Sequence, residues 1–211
     1  GTIGNVDLDY RVGTSPYSSV ATGVSGLTYD WTVPDYIVEA NYLEGFEMSI
    51  VLKTIHTTVR GPIPADVREL PFDDPRFVDR HTAFTVAFAD RYAGRVHYLW
   101  IGNEVNDYFA AHRGEVDAYA RAFDHAREAV RARHPDLPVG ITFAYHDAET
   151  LGTLDIVETL NRGDAIAYTL YLYNNGFSFT RDPEELGDYL DRMLALSGDT
   201  PVAIVETGWN T

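Results

Sequence analysis

Two glutamates stand out by position. Glu104 closes the apolar run Val96-His97-Tyr98-Leu99-Trp100-Ile101-Gly102-Asn103, and Glu206 closes Pro201-Val202-Ala203-Ile204-Val205. Short apolar runs of this kind read as buried strands, and parallel α/β sheets carry their reactive groups at the C-terminal ends of strands. Paired carboxyl groups so placed suit glycoside hydrolysis. When configuration is retained the pair stands about 5–5.5 Å apart; one carboxylate attacks the anomeric carbon while the other first donates and then removes a proton. The two must titrate differently, and the one in the drier, less hydrogen-bonded setting keeps its proton near neutral pH. Residue type alone does not say which is which.

Elements able to bring two distant glutamates together follow from the rest of the chain. Beyond residue 46, short apolar runs alternate with amphipathic stretches, the pattern of βαβ units and a parallel sheet. Strands are expected at 46–55, 96–101, 138–145, 164–173 and 201–206, with an earlier one at 23–31 that ends in Tyr29-Asp30-Trp31. Four helices are expected between them. Asp74-Pro75 offers an N-cap followed by proline at the first helical position, and Phe77, His81, Phe84, Phe88 and Tyr92 follow at helical spacing up to Gly94. A second helix carries Val116, Tyr119, Phe123, Ala126 and Val130 on one face, a third spans 147–162, and a fourth starts at Asp182-Pro183 and stops near Gly198. Right-handed crossovers would wind such strands round a barrel or along an open sheet. Residues 1–211 read as a single domain without an internal linker, and 1–22, rich in Gly, Ser and Thr, are the least readable part.

The chain has 32 acidic and 16 basic residues, a formal net charge of −16, and Lys53 as its single lysine. Such a surface repels nucleic acid, anionic membranes and polyuronates and leaves neutral polysaccharides unaffected; it also serves solubility. With no cysteine there is neither a disulfide nor a thiolate metal site. No apolar run approaches the ~18 residues of a membrane span. The first residue is Gly1 rather than Met, which is compatible with a removed targeting segment. The histidines are scattered, and there is no His-Glu-x-x-His helix, calcium loop, phosphate loop, dinucleotide fingerprint or nucleophile elbow, so neither a metal nor a cofactor is expected.

Ile101-Gly102-Asn103-Glu104 resembles the Asn-Glu signature that ends the fourth barrel strand of clan A glycoside hydrolases, and Val205-Glu206-Thr207-Gly208-Trp209 resembles the segment that ends their seventh. Asn-Glu-Val with Glu-Thr-Gly-Trp is similar to endo-β-1,3-glucanases, and the segment 164–173 is similar to the sixth strand of endo-β-1,4-galactanases. The resemblance covers residues 23–209. It implies a (β/α)8 TIM barrel that hydrolyses a β-linked neutral polysaccharide or oligosaccharide by double displacement, with Glu104 as acid/base and Glu206 as nucleophile. It further implies Asn103 on the sugar 2-hydroxyl, Tyr171 (or, second, Tyr173) holding the nucleophile, and no cofactor. An extracellular site of action is compatible with it; the sequence itself assigns no compartment. The chain stops at Thr211, just after the seventh such strand, so strand 8 is expected to be absent, and strand 1 is either an atypical one at 6–12 or absent too.

Other residues are weaker candidates. Trp31 and Trp209 could stack on sugar faces or belong to the core, whereas Trp100, alternating with Asn-Glu along its strand, is expected to pack. His56 at the rim, and His146 and Asp147 beyond the fifth strand, could bind sugar hydroxyls or orient a glutamate, or be solvated loop residues. Asn106 and Asp107 lie just beyond Glu104, where a loop could reach subsite hydroxyls, and ordinary turn chemistry explains them equally well. Three rivals stand beside the hydrolase: a carbohydrate-binding barrel without turnover, a metal-dependent hydrolase using His56, His97 or His146, and a truncated barrel that self-associates through its open edges.

Overall fold

A computed structural model describes residues 3–9, 29, 31–61, 63–64, 66–172 and 182–208. Its strands are β1 (Ile3–Asp9), β2 (Glu47–His56), β3 (Val59–Arg60), β4 (Tyr98–Asn103), β5 (Val139–Ala144), β6 (Ala165–Leu170) and β7 (Val202–Thr207). Six of them pair in parallel in the order β1-β2-β4-β5-β6-β7, and the two-residue β3 folds back antiparallel on the end of β2. The sheet curls until Cα atoms of β1 and β7 lie within 8 Å of each other. This is a (β/α)8-type barrel in which the described residues supply six parallel strands.

The helices are α1 (Thr32–Leu43), α2 (Pro75–Tyr92), α3 (Val105–Ala111), α4 (Val116–Arg131), α5 (Tyr145–Leu151), α6 (Leu154–Leu160) and α7 (Leu186–Ser197). Alternation along the strands splits the apolar residues into two sets. Leu52, Leu99, Ile101, Ile141, Phe143, Ile166 and Tyr168 form one continuous core with helix residues such as Phe84, Phe88, Tyr119 and Phe123. Val51, Trp100, Ala165 and Ala167 form a second, smaller cluster, edged by Tyr98, Ala203 and Val205, inside the barrel. Trp100 fills that interior, as its place in the alternation predicts, and its neighbours are small for that reason. At Gly140 a Cβ would lie 2.7 Å from the Trp100 ring and collide with the carbonyl oxygen of Ala165.

The helix at 75–92 lies where its cap and spacing place it, and that at 116–131 where its apolar spacing does; Asp74 accepts a hydrogen bond from the Arg76 N–H at 2.9 Å with Pro75 at the first helical position. The expected helix at 147–162 is two helices, because Gly152 adopts φ +66° and ends α5 there. The expected last helix opens with a 3-10 turn, Pro183–Glu185, before α7.

The expected strand at 23–31 needs correction. Tyr29 and Trp31 are not in a strand, the rest of that segment lies outside the described residues, and β1, inside residues 1–22, is the strand beside β2. Trp31 instead precedes α1 and packs on α2, stacked on Phe84 at 6.2 Å between ring centres and edge-on to Tyr92 at 5.9 Å, with the Arg91 guanidinium 5.4 Å from its ring. These contacts tie the start of α1 to α2. Helix α1 escaped notice because Pro34 sits in its first turn and Val33, Tyr36 and Leu43 are exposed, which blurs the apolar stripe.

Candidate active site

Glu104 owes its place to a break in β4. Gly102 has φ +86°, and a Cβ there would lie 2.5 Å from both the Tyr119 hydroxyl and Val105 Cγ1, so only glycine fits. The Tyr119 hydroxyl donates to the Ile101 carbonyl at 2.8 Å and braces the strand where it stops. Glu104 itself adopts φ 50°, ψ 45°, a left-handed conformation that costs a non-glycine residue about 1–3 kcal/mol and concentrates at functional sites. Helix α3 starts at the next residue. The Glu104 side chain reaches past β5 to β6, where the Thr169 hydroxyl donates to its Oε1 at 2.6 Å.

Glu206 is aimed by an irregularity in β7. Ala203 and Val205 border the interior cluster, so strict alternation would send Glu206 outward with Ile204, which is 44% exposed. The register shifts instead: Tyr168 opposes Ile204, and the next residue, Thr169, opposes Glu206, leaving Val205 as the extra residue of a β-bulge. A bulge resets the phase of the side chains, so Glu206 falls opposite the residue that holds Glu104. The Tyr171 hydroxyl donates to Glu206 Oε2 at 3.2 Å. Thr169 and Tyr171, two residues apart along one chain segment, thus each hold one of the two glutamates.

Asn103 is 2% exposed and stands opposite His56, the last residue of β2. Its Nδ2 lies 3.3 Å from His56 Nδ1, its backbone carbonyl accepts from the Thr57 N–H at 2.9 Å, and its Oδ1 has no hydrogen-bond partner among the described residues. A buried acceptor in that state is suited to take a ligand hydroxyl.

Asn106 and Asp107 lie in the first turn of α3 rather than in a loop. The Asn106 amide grips the Ala144 backbone from both sides, accepting from its N–H at 2.8 Å and donating to its carbonyl at 3.1 Å, and it also donates to Asp107 Oδ1 at 3.0 Å. Burial, and then the negative charges of Asp147 and Glu104, push the Asp107 carboxyl up to about 7. His146 is likewise helical and buried, with Nδ1 3.2 Å from the Tyr189 hydroxyl.

The three histidines of the metal-dependent alternative do not meet. His56 ends β2, His146 faces α7, and His97 precedes β4 at the opposite end of the barrel, its Nδ1 accepting from the Met48 N–H at 3.3 Å. Among the described residues no group of three His, Asp or Glu side chains could hold a metal ion. Tyr173 and Trp209 lie outside the described residues. Sequence reasoning passed over Thr169, although a signal was present: it follows Ala165 and Ala167 at a spacing of two, the polar end of an inward face.

No protein-family model matches the chain, and neither does any curated protein sequence. Solved structures do. The chain superposes on the β-glycosidase BGL167 with a TM-score of 0.72 at 13% identity, and on β-glucosidase 1317 with 0.69 at 14%, in each case over 97% of its own length and 63% of the other. On a glucosidase from Croceicoccus marinus the score is 0.65 at 15% identity, over 99% of this chain and 46% of that one. The chain therefore spans less than two thirds of each of these proteins. At such identities the likeness shows the fold, that of barrel β-glycosidases.

Proposed function

We propose that the chain forms the catalytic barrel of a retaining β-glycosidase acting on a neutral β-linked oligosaccharide or polysaccharide, with Glu206 as nucleophile and Glu104 as acid and base. The observation that carries this reading is the pair of hydrogen bonds from Thr169 to Glu104 and from Tyr171 to Glu206, which draws two glutamates from strands β4 and β7 to one segment. Donation by Tyr171 to Oε2 favours the ionised form of Glu206 and orients its other oxygen toward an anomeric carbon. Donation by Thr169 to Oε1 fixes the orientation of the Glu104 carboxyl, the group that carries the proton. Glu206 then attacks C1 while Glu104 protonates the departing oxygen, and water deprotonated by Glu104 releases the glycosyl-enzyme. Asn103 Oδ1 is the acceptor for the sugar 2-hydroxyl. The net charge of −16 favours neutral sugars over uronates.

Intact-protein mass spectrometry after incubation with a panel of activated 2-deoxy-2-fluoro glycosides tests this. The expected result is a covalent adduct on the wild type and none on Glu206→Gln, with the reacting probe identifying the sugar. Folded wild type that reacts with no probe would turn the reading to a carbohydrate-binding barrel without turnover.

A further inference from the structure

Strand β4 parts from β5 just before the site. The two are in register at Leu99 with Val139 and at Trp100 with Gly140. Beyond these pairs Gly102, at φ +86°, and Glu104, at φ +50°, turn the chain. Asn103 stays with β2, opposite His56, and its carbonyl accepts from the Thr57 N–H. The side of β5 that faced β4 is thereby left with the N–H and C=O of Ala144, a buried residue. Buried backbone groups of this kind require partners.

Asn106 supplies both. Its side chain is fully buried; Oδ1 accepts from the Ala144 N–H at 2.8 Å, and Nδ2 donates to the Ala144 carbonyl at 3.1 Å. A carboxamide presents the same donor and acceptor as a peptide group, so Asn106 stands in for the β4 residue that is no longer there. The bond from Nδ2 to Asp107 Oδ1 at 3.0 Å uses its second hydrogen. Ala144 is in turn in register with Thr169 of β6, whose hydroxyl donates to Glu104 Oε1 at 2.6 Å. A ring closes across three strands: Glu104 is held through its backbone by way of Asn106 and Ala144, and through its carboxyl by Thr169. A left-handed residue persists only where its surroundings hold it from several sides.

We propose that Asn106 is a positioning residue for Glu104: by replacing a strand residue on Ala144 it lets β4 stop early and pins the left-handed turn from which the Glu104 carboxyl reaches Thr169. The catalytic meaning of this rests on Glu104 being the proton donor. Asn106 acts through Glu104, by geometry alone, and a catalytic group misplaced by about 1 Å loses about 100-fold in rate. The loss falls on the step that needs the proton, because the carboxyl of Glu206 is held separately by Tyr171.

The test compares two leaving groups on the neutral sugar whose 2-deoxy-2-fluoro probe labels the wild type: phenol, which departs only when protonated, and dinitrophenol, which departs without a proton. In Asn106→Ala, kcat/KM on the phenyl glycoside is expected to fall about 10-fold or more beyond any fall on the dinitrophenyl glycoside. Thr169→Val, which opens the same ring at its other end, is expected to show the same split, and Thr169→Ser to stay within about twofold of wild type on both. If Asn106→Ala does not fold, Thr169→Val decides. Hydrogen exchange read by NMR checks the bridge without any substrate: the Ala144 amide is expected to lose protection in Asn106→Ala while the amides of β2 keep theirs. Equal losses on the two glycosides, or an Ala144 amide indifferent to Asn106→Ala, would overturn the positioning role. A wild type that reacts with no glycoside, with the Ala144 amide responding as expected, would instead remove the glycosidase reading and the catalytic part of this one with it.

Discussion

Thr169 and Tyr171 act on two different glutamates from one stretch of chain, so each can be tested without disturbing the other. Tyr171→Phe removes a donor to a carboxylate, and kcat/KM is expected to fall about 10- to 100-fold with an unchanged melting temperature, as measured by steady-state kinetics and calorimetry. Asp107 makes a prediction about stability. Its carboxyl is raised from the ordinary 3.8 to about 7, so between those values the folded chain binds the extra proton. The stability this contributes is present at low pH and lost as pH rises through about 7. Asp107→Asn is therefore expected to match the wild type near pH 4. At pH 8 it is expected to be more stable by about 1 kcal/mol after solvent screening, or roughly 2–4 °C in Tm, which thermal melts at the two pH values would check.

At the scale of elements, the site depends on interruptions of regular structure. Gly102 ends β4, the bulge at Val205 re-aims β7, and Gly140 lets β5 pass Trp100 and Ala165. Gly140→Ala is expected to cost about 2–3 kcal/mol or more, because the obstacle includes a neighbouring backbone that cannot rotate away, and urea denaturation would measure it. Gly102→Ala would combine a left-handed φ with two close contacts. It is expected to lower activity more than its loss of stability explains, since Glu104 is two residues on. The expected helices, one from Asp74-Pro75 to Gly94 and one carrying Val116 to Val130, were legible because an N-cap with its proline in the first and apolar spacing in both are local properties. The split of 147–162 at Gly152 was not, because a glycine is compatible with either a continuous or a broken helix until packing decides.

Across the whole molecule, charge is organised as well as abundant. Arginines join neighbouring helices through aspartates: Arg91 to Asp35, Arg133 to Asp90, Arg162 to Asp124, and Arg127 to Asp164 at the start of β6. Most of these pairs are partly exposed and individually weak. The buried His81 is a larger pH-dependent term. Burial pushes it down to about 4, so between about 6.5 and 4 the unfolded chain binds the extra proton. Its stability contribution is complete above pH 6.5 and is lost as pH falls, by about 3 kcal/mol in all. His81→Gln is expected to flatten that loss, seen as a smaller change in urea midpoint between pH 7.5 and 4.5 than in the wild type. Asp107 has the opposite slope over much of this range, so the comparison must be made between His81→Gln and wild type rather than on the wild type alone.

The sequence by itself determined the α/β class, five of the six parallel strands, the positions of α2 and α4, and the presence of a glutamate at the ends of β4 and β7. Apolar periodicity, caps and proline placement act over a few residues, and a single chain displays them. The tertiary structure decided which strand lies beside β2, that Trp31 packs on α2, and that Asn106 and Asp107 are helical. It alone could show Glu206 turned to the face of Thr169. Period-two reading places Glu206 on the wrong side of β7, and only pairing with β6 reveals the extra residue at Val205 that corrects the phase. Register is a property of two strands, and contact between Thr169 and Glu104 is a property of strands that are not even neighbours in the sheet.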